Sequence, residues 1–332
     1  MAQSTFFKWI FLLFWAFMPA ASLCFAVSNA ENKLIEQLYH KLSHLPQNDM
    51  QNRITAISSW FLGKPYLLGA LGEGNHGAYD QFPLHRFDAF DCETFVDTVL
   101  ALALAEDAQT FKQCINQIRY RDGKVSFFNR NHFASLDWNL NNQKQGFLKD
   151  ITPGFTNKHN KPVAKIAKAY IDKPAWYRHF DSKIIRIADA DERLINQKLQ
   201  SLKERGGKLQ GAVSVIPYIP LSVLFTKKGE PNQHLFKQIP NASIIEIVRP
   251  NWDLRSRIGT CLNVSHLGFA IWKDDTLMFR EASSIHQRTV DVPLIDYLQD
   301  ALKSPTIKGI NVQIVLPEKT FKGDCRNVGK NP

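Results

Sequence analysis

Two hydrophobic rhythms divide the chain. Through the first 120 residues apolar positions recur at three- and four-residue spacing. "NKLIEQLYHKL" and "QNRITAISSWFLG" within residues 31–62 predict helices, as do 92–106 and 108–120. The second of these segments stops at Gly63, a residue suited to a helix C-terminus. After about residue 206 the rhythm changes. "GAVSVIPYIP", "ASIIEIVRP", "SHLGFAIWK", "TLMFREAS" and "INVQIVLP" are short, apolar and β-branched, which predicts strands. Lys273-Asp274-Asp275 supplies a turn between the third and fourth of these and predicts an antiparallel hairpin. Helices first and strands afterwards argue an α+β domain, not a doubly wound sheet. Between the halves, from "RNHFASLDWNLNN" to about residue 180, the chain is polar and irregular and holds Trp138 and Trp176. "DADERLINQKLQSLKERGG" then predicts a charged surface helix closed by Gly206 and Gly207. An inserted lid or subdomain is therefore expected over about 121–206.

The N-terminus changes this picture. Lys8 precedes the apolar run "WIFLLFWAFM", which Pro19 ends, and "CFA" offers a cleavage site before Val27. That is the pattern of a secretory signal over 1–26, leaving 27–332 as the mature domain. The run is too short to span a bilayer comfortably, so no stable membrane insertion is expected after its removal. Leu23 directly before Cys24 fits lipoprotein processing poorly. The chain carries 41 Lys and Arg against 31 Asp and Glu, a formal charge of +10, but the basic residues are scattered and not gathered in one block. This describes a basic exported protein and argues against a nucleic-acid partner.

The five cysteines lie far apart, which excludes a dense disulfide framework and makes a zinc ribbon a poor fit. No metal and no cofactor are expected. Cys114 shares one helical face with Phe111, Ile115 and Ile118 and reads as core. Cys261 and Cys325 could pair in an oxidising compartment. Cys92 is different. In "DAFDCETFVDTVLALALAE" it precedes the continuous apolar stripe, with Asp91 a plausible N-cap. A thiol at a helix start is biased towards thiolate. The carboxylates of Asp91 and Glu93 oppose that bias, so a base is still needed. Among ten histidines His266 is the best placed, at the start of a predicted strand, although a half-buried core histidine is the competing reading. The returning strand brings Glu281 back as a possible partner for the imidazole.

Together these segments resemble a known superfamily. "GKPYLLG", "FDCETFVD", "SHLGFAI" and "FREASS" resemble the NlpC/P60 papain-like cysteine peptidases and amidases. More narrowly, "IRYRDG", "RNHF", "DWN" and "IPYIP" are similar to the DUF1460 family of bacterial envelope amidases. The resemblance implies a papain-like core with Cys92 as nucleophile, His266 as general base and Tyr66 in a loop lining the site. The family's last motif ends in His-Ala-Ser where this chain has Glu281-Ala282-Ser283, a departure that bears on the tuning of the triad. If Glu281 were not the orienting group, Asn263 or Ser283 would have to be. Asn131, His132 and Trp138 are candidate substrate-binding residues, with Trp138 offering a face to a sugar ring; a structural loop around a buried tryptophan is the alternative. Tyr218 is a further candidate for the cleft.

The implied activity is hydrolysis of the N-acetylmuramoyl-L-alanine bond of peptidoglycan fragments, with anhydro-muropeptides as possible substrates, by a monomer in the periplasm or outside the cell. A stem-peptide endopeptidase with the same triad is the runner-up. A non-catalytic murein-binding module is a third, weaker reading.

Overall fold

The computed structural model describes residues 20–316, with side chains from Glu31 onward. Most of the expected signal segment, and Cys325, lie outside the described residues. Helix α1 (Ala20–Leu42) runs through the position of the expected cleavage. Among the described residues, no helix is long and apolar enough to cross a membrane.

The helical half starts where aspartates cap it. Asp49 precedes α2 (Met50–Ser59), while Asp91 and Asp107 open α3 (Cys92–Leu104) and α4 (Ala108–Arg119) with reciprocal capping boxes to Thr94 and Thr110. Each box satisfies two N–H groups that a bare helix end would leave unpaired. From Thr94 to Leu104 every residue of α3 is buried. A helix apolar on nearly all sides belongs inside a protein, and α3 is the central one.

The strand half forms an antiparallel sheet around β4 (Ser243–Asp253), β5 (Cys261–Lys273), β6 (Thr276–Ser283) and β7 (Arg288–Pro293). β8 (Gly309–Val315) returns beside β4, and β3 (Ala212–Pro220) joins β8 through Ile219 and Pro220. The order is β2 (Lys165–Ile171), β3, β8, β4, β5, β6, β7, with β1 (Leu148–Asp150) also paired to β8. One face carries Ile244, Leu267, Phe269 and Ile271 against Phe95 and Val99 of α3. The other carries Ile245, Ile247, Phe279 and Val312 against Leu294 and Leu298 of the last helix, Leu294–Ala301. Burial on both faces is why β4 and β5 read as nearly continuous apolar runs. Arg280 ties the layers together. Buried, it forks onto Asp291 and reaches Ser58 and the Thr55 carbonyl of α2.

The expected insert is partly built into the sheet. It contributes β1 and also β2 (Lys165–Ile171), whose whole length pairs with β3. The inward residues of β2 include Ala167 and Ala169, too small to give a strong alternating signal. The remainder comprises α5 (Asn139–Lys144), α6 (Lys173–Arg178) and α7 (Glu192–Gly206), of which α6 and α7 form a small core with Phe127 and with Tyr79 from outside the insert, around Tyr177 and Leu202. A Cβ on Gly206 would meet the Tyr177 ring at 2.0 Å, so only glycine lets α7 end against that ring. Cys114 is buried as its helical face predicts, and is also disulfide-bonded. Cys261 carries a free thiol, against the pairing with Cys325 that the sequence left open.

Candidate active site

The start of α3 is held from both sides. Asp91 Oδ1 accepts from the Thr94 N–H and hydroxyl, each at 2.8 Å, while Oδ2 accepts from the Gly69 N–H at 2.8 Å. Gly69 has φ of +65°, a left-handed conformation that glycine adopts without strain. The loop before it is pinned by Tyr66 N–H to Gln287 O at 3.0 Å and Leu67 N–H to Phe90 O at 2.9 Å. Cys92 is thus the first helical residue of a fixed helix end, and its N–H has no acceptor within the helix. Tyr66 lies close enough that burial, followed by the Cys92, Asp91 and Glu281 charges, pushes its hydroxyl up to about 12.

The two carboxylates flanking the thiol oppose thiolate less than their formal charges imply. Asp91 spends both oxygens on donors. Glu93 is driven well above the ordinary carboxylate range by burial, then by Asp97 and Asp91, with Arg119 and Arg130 opposing. That favours the neutral carboxyl beside Cys92.

Opposite Cys92, β5 presents His266 and β6 presents Glu281. His266 Nε2 is hydrogen-bonded to Glu281 Oε2, which leaves Nδ1 for the Cys92 sulfur. Phe279 packs edge-on to the imidazole at 5.7 Å, and Tyr297 stacks on it at 6.5 Å. Burial disfavours the imidazolium, but Cys92 and Glu281 together outweigh it and lift His266 to about 10. The other two candidates for orienting the ring point elsewhere. Asn263 donates to Ser214 and accepts from the Asn251 N–H, and Ser283 accepts from the His286 N–H.

A cavity of about 140 Å³ opens beside this trio, lined by Cys92, Glu93, His132, Ser135, Ser265 and His266 among others. It joins the two halves of the chain that the sequence separates. A larger cavity of about 720 Å³, lined by Gln117, Arg121, Asn131, Leu140 and Lys144 among others, contains none of the three. Chemically, the smaller cavity places a thiol at a positive helix end against an imidazole held by a carboxylate. This constellation can form a thiolate and return a proton to a leaving group. Among the described residues, no cluster of His, Cys, Asp or Glu is arranged to hold a metal ion.

The expected substrate residues fare differently. Trp138 is 0% exposed and donates from Nε1 to Asp97 Oδ1 at 2.7 Å, so it offers no face to a sugar. The alternative of a buried tryptophan in a structural loop is the one found. Asn131 is also buried, its amide donating to the Ile118 carbonyl, and it borders the larger cavity. His132 does line the Cys92 cavity, but its Nε2–H is spent on the Phe127 carbonyl at 2.7 Å. Burial, then Arg130, holds it far below the usual histidine range, so it is a neutral wall. Tyr218 is half-buried and packs beside Val248 and Val264. Sequence reasoning did not single out Ser135, Ser265 or Tyr297, which no local pattern marks; only the fold brings them to Cys92 and His266.

Family and structural comparisons agree with this architecture. Residues 56–307 match the model of the AmiA-like family, described as N-acetylmuramoyl-L-alanine amidase-like. A crystal structure of a Legionella pneumophila protein of family DUF1460 is 52% identical, with a TM-score of 0.85 over 89% of this chain and 97% of that one. An N-acetylmuramoyl-L-alanine amidase from Bacteroides uniformis shares the fold at 23% identity, with a TM-score of 0.56 over 80% of this chain and 99% of its own. No curated protein is significantly similar. With its match extending across most of the helical half, the insert and the sheet, the chain belongs to the AmiA-like, N-acetylmuramoyl-L-alanine amidase-like family.

Proposed function

We propose that the protein is a cysteine amidase with a papain-like NlpC/P60 core that cleaves the N-acetylmuramoyl-L-alanine bond of peptidoglycan fragments, with anhydro-muropeptides among its substrates. The observation that carries this reading is the approach of Cys92, at the start of α3, to a His266 that Glu281 engages. Membership of the AmiA-like family supports a peptidoglycan substrate.

In this mechanism the Cys92 sulfur gives its proton to His266 and attacks the lactyl carbonyl carbon. The carbonyl oxygen takes up negative charge and is met by the Cys92 N–H, left unpaired at the helix end. His266 returns the proton to the alanine nitrogen as the C–N bond breaks, leaving a thioester on Cys92. Water then attacks the thioester, with His266 accepting its proton, and the free thiol is regenerated. Glu281 fixes the imidazole so that one nitrogen always faces the sulfur, and it supports the imidazolium formed when the thiol ionises.

Secretion through the segment 1–26 would deliver the enzyme to the periplasm or beyond, where murein lies. Purified protein incubated with defined muropeptides should release free sugar plus an intact stem peptide, read by product mass. Fragments cut within the peptide would instead assign an endopeptidase, and sedimentation with murein without cleavage would assign a binding module.

A further inference from the structure

The antiparallel β2–β3 pair has an inner and an outer face of opposite character. Its register pairs Ile166 with Pro217, Lys168 with Val215 and Tyr170 with Val213. The inner face holds Ala167, Ala169, Ile171, Ser214 and Ile216, all buried. On the outer face Ile166 is 57% exposed, Tyr170 55%, Val213 58% and Val215 51%, with exposed Lys168 among them. These are four of the eleven large apolar side chains left exposed among the described residues, gathered on one two-stranded surface. Isolated exposed apolar residues are ordinary, whereas a contiguous group marks a contact surface.

The chain running through these two strands includes two stretches without acidic residues. No Asp or Glu occurs between Asp150 and Asp172, or between Glu204 and Glu230. The first of these stretches carries Lys158, Lys161, Lys165 and Lys168, all exposed. Among the described residues none of the four has an ion-pair partner.

We infer that the outer face of the antiparallel β2–β3 pair docks on an anionic lipid bilayer. Lysines alone would suit any polyanion, but Ile166, Tyr170, Val213 and Val215 gain nothing from a hydrated polymer and need an apolar phase. A bilayer interface offers both. The apolar side chains enter the headgroup boundary while lysine stems lie along it and lift their ammonium groups to the phosphates. A second copy of the chain fits less well. A two-fold face-to-face pairing would bring the Lys168 side chains together, and lysines on an edge strand discourage strand-to-strand pairing. The inner face bears on the site, since Ser214 Oγ lies 2.7 Å from Ser135 Oγ and Ser135 lines the Cys92 cavity. Docking would hold that cavity at a fixed height above the membrane. The inference stands apart from the amidase reading.

The test is vesicle sedimentation of the full chain. Phosphatidylethanolamine vesicles containing phosphatidylglycerol are compared with neutral phosphatidylcholine vesicles, at low and high salt. The N-terminal run, with Lys8, is common to every variant and itself favours anionic vesicles, so the share of the excess that substitutions on the strand pair remove is what reports that pair. That excess should be present at low salt and shrink at high salt. Lys168→Gln should weaken it about fivefold. Ile166→Ser with Val215→Ser should weaken it too, with the circular dichroism spectrum unchanged because all three positions are exposed. Equal binding of wild type to both vesicle types would overturn the proposal. So would insensitivity to the apolar pair, binding to heparin without binding to vesicles, or a dimer in light scattering that these substitutions dissolve.

Discussion

The Cys92 cavity has two walls that are held together in different ways. On one, α3, β5 and β6 link Cys92, His266 and Glu281 in a chain of polar contacts, with Cys92 and His266 facing the cavity and Glu281 behind the imidazole. On the other, residues 132–135 belong to a segment whose polar groups are mostly spent on the protein itself. His132 donates to Phe127 O, and Ser135 is tied to Ser214. The contrast separates side chains whose hydrogen-bonding capacity faces the cavity from those that use it to fix a wall. Losses on the first should fall on the rate. Losses on the second should fall on stability.

Glu281→Ala gives the largest expected effect. In serine triads a damaged orienting group costs about 10⁴-fold. A smaller loss in kcat is expected here, with little change in KM, because a thiol ionises more readily than a hydroxyl. Glu281→Gln should fall between wild type and alanine, and Glu281→His should recover part of the rate by supplying the residue of the family's last motif. Steady-state muropeptide hydrolysis checks all three. Rates near wild type throughout would erase the distinction between the walls.

Trp138→Ala tests the support behind the second wall, since Trp138 follows residues 132–135 in the chain but lies outside the cavity lining. It should cost about 3–5 kcal/mol of stability, as removal of a fully buried aromatic does. Trp138→Phe should cost about 1–3 kcal/mol, because the Asp97 carboxyl loses a donor. Burial already raises Asp97 to about 7 against Arg119 and Trp138. Denaturant unfolding measures both variants. A raised KM with unchanged stability would return Trp138 to the substrate.

The first wall was the more legible in sequence because its elements carry local signals. Asp91-Cys92 is a cap followed by a helix start, and "SHLGFAIWKDDTLMFREAS" is a hairpin whose Asp274-Asp275 turn lies where expected. The match of His266 to Glu281 follows once the hairpin closes. The second wall was less legible because its partners are distant. Trp138 meets Asp97 across 41 residues, and Ser135 meets Ser214 across 79. β2 was missed for the same reason: its alanines become a core face only beneath β3. The strand run Arg288–Pro293 was also missed, being short and polar at alternate positions.

pH sharpens the comparison further. His266 is lifted to about 10, above its unfolded value of about 6.5. The stability this gives is complete below the unfolded value and is lost as pH rises through the folded one. The rate should show an alkaline limb as the imidazolium is lost near pH 10, and Glu281→Gln should move that limb to lower pH by removing a supporting charge. A limb unmoved in Glu281→Gln would place the titration elsewhere.

The smallest expected effect lies away from both walls. Glu246 on β4 is fully buried, accepting from Asn139 at 2.9 Å and Gln313 at 3.3 Å, and burial raises it to about 7. An acid raised on folding binds protons in the native state. Stability from this group therefore falls as pH rises from its unfolded value to about 7. Glu246→Gln should flatten that slope, raising Tm by about 2–4 °C above neutral pH without altering the rate. An unchanged slope in thermal melts across pH would contradict it.

The central claim is that Cys92 attacks the substrate, and it is tested most directly by Cys92→Ala measured for muropeptide hydrolysis and thermal unfolding on the same preparation. The account predicts no detectable sugar release with a Tm close to wild type, since Cys92 sits ahead of the buried run of α3. Retained hydrolysis would contradict the nucleophile assignment, and a large fall in Tm would return Cys92 to the core.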